Sequence, residues 1–292
     1  MKSTQDTWAR LVREAKEIPE SFTGFFQKLD TDQTLFPYTV FTPPDRCYRS
    51  RSNPKLICLF DDRIYVAEKL KKEIVGRCYL MNQIIYLEMG TMLLHSWFKI
   101  CGIVNDQVAS ITVEYNTVVE HLFKPIIEKI RAAIYHLEKT DDLMERMKKE
   151  TKKFDYLIKE NYKYMNFGKK SLLPGTEVSQ ILLQPDIRVK YWKYFTRTIS
   201  LVHQTILTDK ELIIIKEGAD SNHRVRYGGI WCYIPLYKIT KLDVTRNLEE
   251  DVYKLSVNLP ENIAMNTLFS ADQKPQLDLL RSNFDQLKSR NI

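Results

Sequence analysis

Few residues in this chain combine the types and spacings that metal chemistry requires. None of the five histidines has a histidine or cysteine three or four residues away, the spacing that commonly brings two ligands together. A bound metal needs several donors that converge, so the sequence predicts neither a metal site nor a cofactor. The five histidines are His95, His121, His136, His203 and His223.

Motifs for nucleophilic catalysis are equally scarce. The chain contains no G-x-S-x-G or H-E-x-x-H motif, and no S-x-x-K motif with its supporting partners. It has 9 glycines among 292 residues, and the only adjacent pair is Gly228 and Gly229, so a glycine-rich phosphate loop is not indicated. Cys78 and Cys232 lie in apolar segments and are predicted to be buried thiols. These patterns favour a protein that is not an enzyme.

One segment combines basic and aromatic side chains and is a candidate binding surface. Residues 188–197 read RVKYWKYFTR, and on a strand their side chains would alternate between two faces. Cations beside tryptophan and tyrosine are typical of an anionic-ligand face or a membrane interface. Charges on an edge strand also prevent sheet-to-sheet association, and we favour this second interpretation. One face carries Lys190, Trp192 and Tyr194, and the other carries Val189, Tyr191, Lys193, Phe195 and Arg197.

The net charge gives little indication of a partner. Lysine and arginine total 44 and aspartate and glutamate total 37, and the resulting +7 divides into +2, +3 and +2 over residues 1–137, 138–170 and 171–292. A nucleic-acid-binding protein usually concentrates its cations in one stripe, so no nucleic acid is expected. Five cysteines without a C-x-x-C pair, and no charged-then-apolar leader, indicate a reducing cytoplasm.

Hydrophobic periodicity divides the chain into helical and strand-rich regions. Helical spacing of apolar residues predicts a helix over residues 6–18 that ends at Pro19. Short β-branched and aromatic segments then predict strands, one of them over residues 92–100, and charges interrupt this region too often for a membrane span. A helix is predicted from about Thr117. The charged residues 138–166 carry an apolar stripe, which predicts a helical connector that continues this helix or forms a hairpin with it.

The second half of the chain repeats the order of the first half. Apolar positions after the two Lys-Pro pairs keep the same helical spacing, and upstream strand segments match at similar offsets. Offsets that differ by a few residues are expected when loops between equivalent strands vary in length. We therefore expect two sheet-plus-helix domains, duplicated or, as the alternative, unrelated. The matches are residues 124–137 with 274–287 (offset 150), 61–66 with 209–214 (offset 148) and 78–80 with 232–234 (offset 154).

The second copy resembles a known family. Residues 208–216 read TDKELIIIK and residues 229–239 read GIWCYIPLYKI. A T-D-x-x-L strand followed by an I-P-L-x-x-I strand is typical of the bacterial pleckstrin-homology-like (PH-like) domains. The resemblance covers residues 178–290 and implies a bent antiparallel sheet, or partly open barrel, of about seven strands that a C-terminal helix caps. In the first copy residues 79–85 lack the proline, so its assignment depends on the repeat.

The resemblance and the repeat together predict an α+β fold with two PH-like domains joined by a helical connector. Fold-level motifs of this kind describe turns and buried strands and carry almost no chemistry. The predicted segments are residues 1–30 (N-terminal helical segment), 31–137 (PH-like domain 1), 138–172 (helical connector) and 173–292 (PH-like domain 2).

A second basic cluster contains Lys216, Arg224 and Arg226. It resembles the basic spacing of phosphoinositide-binding family members. In those proteins the cations lie on the first two strands and the loop between them, whereas here they follow a later strand. The resemblance therefore does not imply a lipid site at these residues.

The expected function follows from the fold, because no reactive group is indicated. Exposed sheet edges, variable loops and a helix face suit the docking of a peptide or subunit. We expect a non-catalytic interaction or assembly module with a protein partner or self-association, and without metal or cofactor. One alternative is an enzyme whose site forms between the domains from residues distant in sequence. The other is peripheral binding to an anionic membrane through Lys190, Trp192, Lys193, Arg197, Arg224 and Arg226.

Overall fold

The computed structural model describes residues 8–29, 36–44, 52–135, 142–192, 195–218 and 228–290. These residues form an α+β fold in which antiparallel strand pairs predominate, and the described strands form no closed barrel. The chain divides into two compact units, Met1–His136 and Leu137–Ile292, called here the N-terminal unit and the C-terminal unit. No helix within the described ranges is long and apolar enough to cross a lipid bilayer.

The described part of the N-terminal unit contains two α-helices and eight strands. They are β1 (Arg10–Val12), α1 (Glu20–Phe26), β2 (Tyr38–Thr42), β3 (Lys55–Leu59), β4 (Arg63–Leu70), β5 (Glu73–Leu80), β6 (Ile84–Met92), β7 (His95–Val104), β8 (Gln107–Asn116) and α2 (Lys124–Ile134). β1 to β5 pair in sequence order, and β6, β7 and β8 form an antiparallel meander. The apolar face of α2 is buried, as its helical spacing requires.

The helix predicted over residues 6–18 is wrong where the structure describes it. Arg10–Val12 forms strand β1 and pairs with β2. The helix of this region, α1, begins after Pro19, whereas the predicted helix ended before this proline. Val12 joins Phe22 and Phe26 in one buried cluster, and this packing with the strand pairing outweighs the helical periodicity. Proline suits the start of a helix, where its missing N–H has no partner to lose.

The strand predicted over residues 92–100 is two strands with a tight turn between them. β6 ends at Met92 and β7 begins at His95. Leu93 adopts a φ of 55°, a conformation that leucine rarely takes and that glycine or asparagine would normally mark in a sequence. The turn was therefore not visible from residue types.

The described part of the C-terminal unit contains four α-helices and nine strands. They are α3 (Leu143–Lys152), α4 (Leu157–Glu160), α5 (Tyr162–Ser171), β9 (Val178–Gln184), β10 (Ile187–Trp192), β11 (Phe195–Ser200), β12 (His203–Thr208), β13 (Glu211–Glu217), β14 (Gly229–Pro235), β15 (Lys241–Asn247), β16 (Val252–Asn258), β17 (Ala264–Ser270) and α6 (Lys274–Arg290). β14, β13, β12 and β9 are neighbours in that order, and β15, β16 and β17 form a second antiparallel sheet.

The predicted connector belongs to the C-terminal unit and covers its sheet. α2 ends at Ile134, so the connector does not continue it, and α5 ends at Ser171, close to the predicted end of the connector at residue 172. The hydroxyl of Tyr164 donates to the carbonyl of Val202 at 2.5 Å, and the Phe167 ring lies 4.7 Å from that of Trp231. Every residue of β12 is buried, because this strand is covered on both faces.

Equivalent elements begin at the positions that the internal repeat matched. α2 and α6 begin at Lys124 and Lys274, and β4 and β13 begin at Arg63 and Glu211. When β1 and the pair β10 and β11 are set aside, seven described strands precede the helix in each unit: β2 to β8 before α2, and β9 with β12 to β17 before α6. β10 and β11 are an insertion between β9 and β12. α6 packs where β9 begins, since Gln180 bonds to two of its residues, so the insertion lies at the opposite end of β9.

Candidate functional site

The predicted basic-aromatic segment forms an exposed hairpin. β10 and β11 pair with each other, and neither pairs with another of the described strands. Residues 195–198 are all exposed. The hairpin residues 187–200 include four cations and no aspartate or glutamate, so this insertion presents positive charge. The four cations are Arg188, Lys190, Lys193 and Arg197.

The structure brings three of the six predicted surface residues into this hairpin. Lys190 is exposed on β10, Trp192 is the last residue of β10, and Arg197 is exposed on β11. A register irregularity between Lys190 and Trp192 interrupts the regular alternation that assigned these two residues to one face. Lys216 lies on β13, where its Nζ donates to the carbonyl of Asn266 at 3.2 Å. The other three residues, Lys193, Arg224 and Arg226, lie outside the described residues.

An ion pair joins the hairpin to the turn between β15 and β16. Arg197 donates to the carboxylate of Glu250 at 2.8 Å. The two joined elements also expose large apolar side chains: Phe195 is 61% exposed and Leu248 is 78% exposed. Apolar side chains that are exposed close to one another are typical of contact surfaces.

Two clefts adjoin at Leu268 of β17. The first has a volume of about 340 Å³ and lies between residues 199–203 at the base of the hairpin, the end of β13 and residues 266–268. The second has a volume of about 410 Å³ and is lined by residues 245–249, Lys254 and Leu268. The two clefts share Leu268 and are together called the groove; the first is lined by the base of the hairpin and the second by the turn that carries Leu248.

A buried histidine lies at the floor of the first cleft. His203 is 3% exposed, and its ring packs edge-on against that of Phe269 with centroids 4.9 Å apart. Nδ1 lies 3.1 Å from the carbonyl oxygen of Leu201, and because a carbonyl only accepts, Nδ1 carries the proton and Nε2 is an unprotonated acceptor. Burial lowers the pKa of His203 to about 4, so the ring is neutral at pH 7.

Two polar atoms at this floor have no hydrogen-bond partner among the described residues. They are Nε2 of His203 and Oγ1 of Thr267, and Oγ1 of Thr205, two residues along β12, is unpaired as well. Folded proteins pair the great majority of their buried polar groups with protein or with water. The walls of the cleft are largely apolar, so these atoms give the floor a distinct polarity.

Helix α5 makes hydrogen bonds to two residues that line the first cleft. The hydroxyl of Tyr164 bonds to the carbonyl of Val202, and Nζ of Lys163 lies 2.7 Å from the carboxylate of Glu217. The Glu217 side chain is only 7% exposed, so this ion pair is shielded from water better than a surface pair. The connector therefore fixes the ends of β12 and β13 that line the cleft.

The site contains no activated nucleophile in the described residues. Oγ of Ser200 lies 3.5 Å from Nδ1 of His203, but Nδ1 already carries the proton that it donates to Leu201, so it cannot accept one from the serine. Burial raises the pKa of the Cys58 thiol to about 12, so it stays protonated at neutral pH. No group of three or more His, Cys, Asp or Glu within the described ranges is placed to hold a metal ion.

Sequence reasoning missed the first cleft and its histidine. It considered the histidines only as metal ligands, whereas His203 is buried with one ring nitrogen unpaired. One signal was present: His203, Gln204 and Thr205 are three consecutive polar residues at the start of an apolar strand. The groove itself was not visible, because its residues come from four separate segments of the chain.

No protein-family model matches this chain, and no curated protein matches it. Its function must therefore be inferred from the chemistry of the surface. That surface combines a cationic hairpin, two exposed apolar side chains and a groove, and these are properties of a binding site.

Proposed function

We propose that the protein is a non-catalytic binding module of two PH-like domains in tandem, and that its C-terminal unit docks an acidic segment of a partner protein. The PH-like assignment is supported by the order of seven strands and a helix that occurs in each unit. It is also supported by the placement of the two motifs. Thr208 and Asp209 lie at the turn between β12 and β13, and Pro235 ends β14.

The observation that carries the docking proposal is the exposed apolar surface beside the second cleft. Among the residues of the hairpin and the β15–β16 turn whose exposure is described, Phe195 and Leu248 are the two most exposed large apolar side chains, and the Arg197–Glu250 ion pair joins these elements. A protein segment that covers both side chains would remove apolar surface from water. Side chains of this kind supply most of the affinity in protein interfaces.

The charge of the hairpin selects an acidic occupant. Two of its four cations pair with carboxylates just outside the hairpin, Arg188 with Asp186 and Arg197 with Glu250, whereas Lys190 has no ion-pair partner among the described residues. Lys254, which lines the second cleft, is also exposed. Exposed ion pairs contribute at most about 1 kcal/mol each, so we assign the apolar contacts to affinity and the cations to selectivity and association rate.

Binding of the full chain to an array of random peptides tests this function. Retained peptides are expected to be enriched in Asp and Glu next to an apolar residue, and retention is expected to fall as salt screens the charges. Selection without acidic enrichment contradicts the proposal. Light scattering at the same protein concentration tests self-association as the alternative. A stable dimer that buries Phe195 would mean that this surface binds a second copy of the chain instead of another protein.

Membrane binding is the second candidate, and the exposure of Phe195 among cations favours it. Aromatic and basic side chains on an exposed strand also suit an anionic bilayer surface. Sedimentation with phosphatidylserine vesicles at low salt separates the two functions, because electrostatic attraction is then greatest. Cosedimentation that Lys190→Glu abolishes, without acidic peptide selection, would support the membrane and contradict peptide docking.

A further inference from the structure

The first cleft is larger than the space that one water molecule bonded to its unpaired polar atoms would need. Its volume is about 340 Å³. A water molecule occupies about 30 Å³ of liquid, so the cleft exceeds one bridging water by about tenfold. The volume is within the range of small-molecule sites, about 300–1,000 Å³.

Two strands that line the cleft each contribute a buried polar atom without a hydrogen-bond partner. His203 Nε2 belongs to β12 and Thr267 Oγ1 to β17, and both atoms are buried without a partner among the described residues. Leaving a buried polar group unpaired costs about 1–3 kcal/mol, so natural proteins leave few such groups. Two of them in one cleft indicate that a component which pairs them is missing.

The tautomer of His203 defines the chemistry of that component. Nδ1 donates to the carbonyl of Leu201, which leaves Nε2 with a lone pair and no proton. The missing partner must therefore donate a hydrogen bond to Nε2. A sulfate or carboxylate offers only lone pairs and would be repelled, and the apolar wall formed by Ile199, Leu201 and Leu268 favours an uncharged molecule.

Lys216 controls access to the floor. Nε2 of His203 and Oγ1 of Thr267 are closed off from solvent, so a ligand reaches them only after a side chain moves. Lys216 is the cross-strand neighbour of His203, it is exposed, and its Nζ donates to the carbonyl of Asn266 across the cleft at 3.2 Å. An exposed hydrogen bond of this kind contributes only about 1 kcal/mol, so its release costs little.

We propose that the first cleft binds a small uncharged molecule with an O–H or N–H group that donates to His203 Nε2, while Thr267 Oγ1 makes a second hydrogen bond to the same molecule. Lys216 releases Asn266 to admit it. This site is separate from partner docking, because Lys190, Phe195 and Leu248 do not line the first cleft.

The test is an NMR titration of the full chain labelled at histidine nitrogen. Acetamide and glycerol carry donors, and sulfate serves as the acceptor-only control. We expect a saturable shift of the His203 Nε2 resonance with acetamide or glycerol and none with sulfate. Thr267→Val is expected to weaken this binding by about two- to tenfold, the loss of one hydrogen bond. Thr196→Val, an exposed change on the hairpin, and Lys190→Glu are expected to leave it unchanged.

Three results would overturn the proposal. The first is the lack of a saturable shift with either donor up to its solubility limit. The second is an equal response to sulfate. The third is a long-lived water at Nε2 that neither donor displaces. The titration of the unmodified chain decides the outcome even where Thr267→Val does not fold.

Discussion

Arg197 on β11 donates a hydrogen bond at 2.8 Å to Glu250, 53 residues later in the turn between β15 and β16. Arg197 is 58% exposed and Glu250 is 23% exposed, so water and salt screen the pair. Such pairs contribute about 0–1 kcal/mol to stability. The importance of this contact is therefore geometric, since it sets the hairpin that carries Phe195 against the turn that carries Leu248.

Arg197→Ala is expected to loosen the hairpin without unfolding the unit. The free energy of unfolding should fall by less than about 1 kcal/mol, because the pair is exposed. Hydrogen exchange of the amides in β10 and β11 should become faster, because the hairpin has no other described strand partner. The double variant Arg197→Glu with Glu250→Arg should restore slow exchange. A stability loss above about 2 kcal/mol, or unchanged exchange, would contradict this role.

His203 predicts a stability that decreases in acid. Burial holds its pKa at about 4 in the folded chain, against 6.5 for an unperturbed histidine. The unfolded chain therefore binds more protons between these two pH values, and the free energy of unfolding should fall by roughly 3 kcal/mol as the pH drops from about 6.5 to about 4. Urea unfolding at pH 7 and pH 4 measures this change. The variant His203→Phe should lack this contribution to the pH dependence of stability. An equal pH dependence in the variant and in the unmodified chain would contradict the role of His203.

Substitution by alanine at two helical glycines is expected to change the stability in opposite directions. A Cβ at Gly168 of α5 would lie 2.3 Å from a ring carbon of Phe154, which is fully buried, so Gly168→Ala should destabilise the unit by about 1–3 kcal/mol. A Cβ at Gly24 of α1 would meet no atom of the described residues within 4 Å, so Gly24→Ala should stabilise by about 0.5–1 kcal/mol. Urea midpoints decide both, and the same sign for both variants would be inconsistent with this packing.

Cysteine labelling should separate a fully buried thiol from a half-buried one. Cys58 has no exposed surface, and burial raises its pKa to about 12, so iodoacetamide should not modify it in the native chain. Cys78 is only partly buried, and although burial raises its pKa as well, it should react before Cys58. Mass spectrometry of the labelled chain measures the order. Early modification of Cys58 would show that β3 opens in the native state.

The sequence predicted those elements whose signals are local. The Lys-Pro pairs mark the first residues of α2 and α6, because proline is tolerated in the first turn of a helix. The acidic turn at residues 61–62 likewise precedes β4, and its repeat at residues 209–210 precedes β13. The strand-rich region predicted in the first half of the chain is confirmed by β2 to β8.

The sequence could not predict elements that depend on tertiary partners. Residues 10–12 have helical periodicity, yet they form a strand because β2 pairs with them. The connector packs on the sheet of its own unit through Tyr164 and Phe167, and only the fold reveals this contact. The first cleft is lined by residues 199–203 and 266–268, which are distant in sequence, and no local pattern predicts that they lie close together.

The most direct test of the docking function is calorimetric titration of the full chain with an acidic peptide selected on the array. The unmodified chain is compared with Lys190→Glu, Phe195→Ser, which alters the hairpin, and with Leu279→Ser, Arg281→Glu, a matched change of exposed residues on α6. We predict that the hairpin variant binds at least about tenfold more weakly, a loss of about 1.4 kcal/mol, and that the α6 variant binds like the unmodified chain. Equal affinity of the hairpin variant and the unmodified chain would contradict docking at this surface.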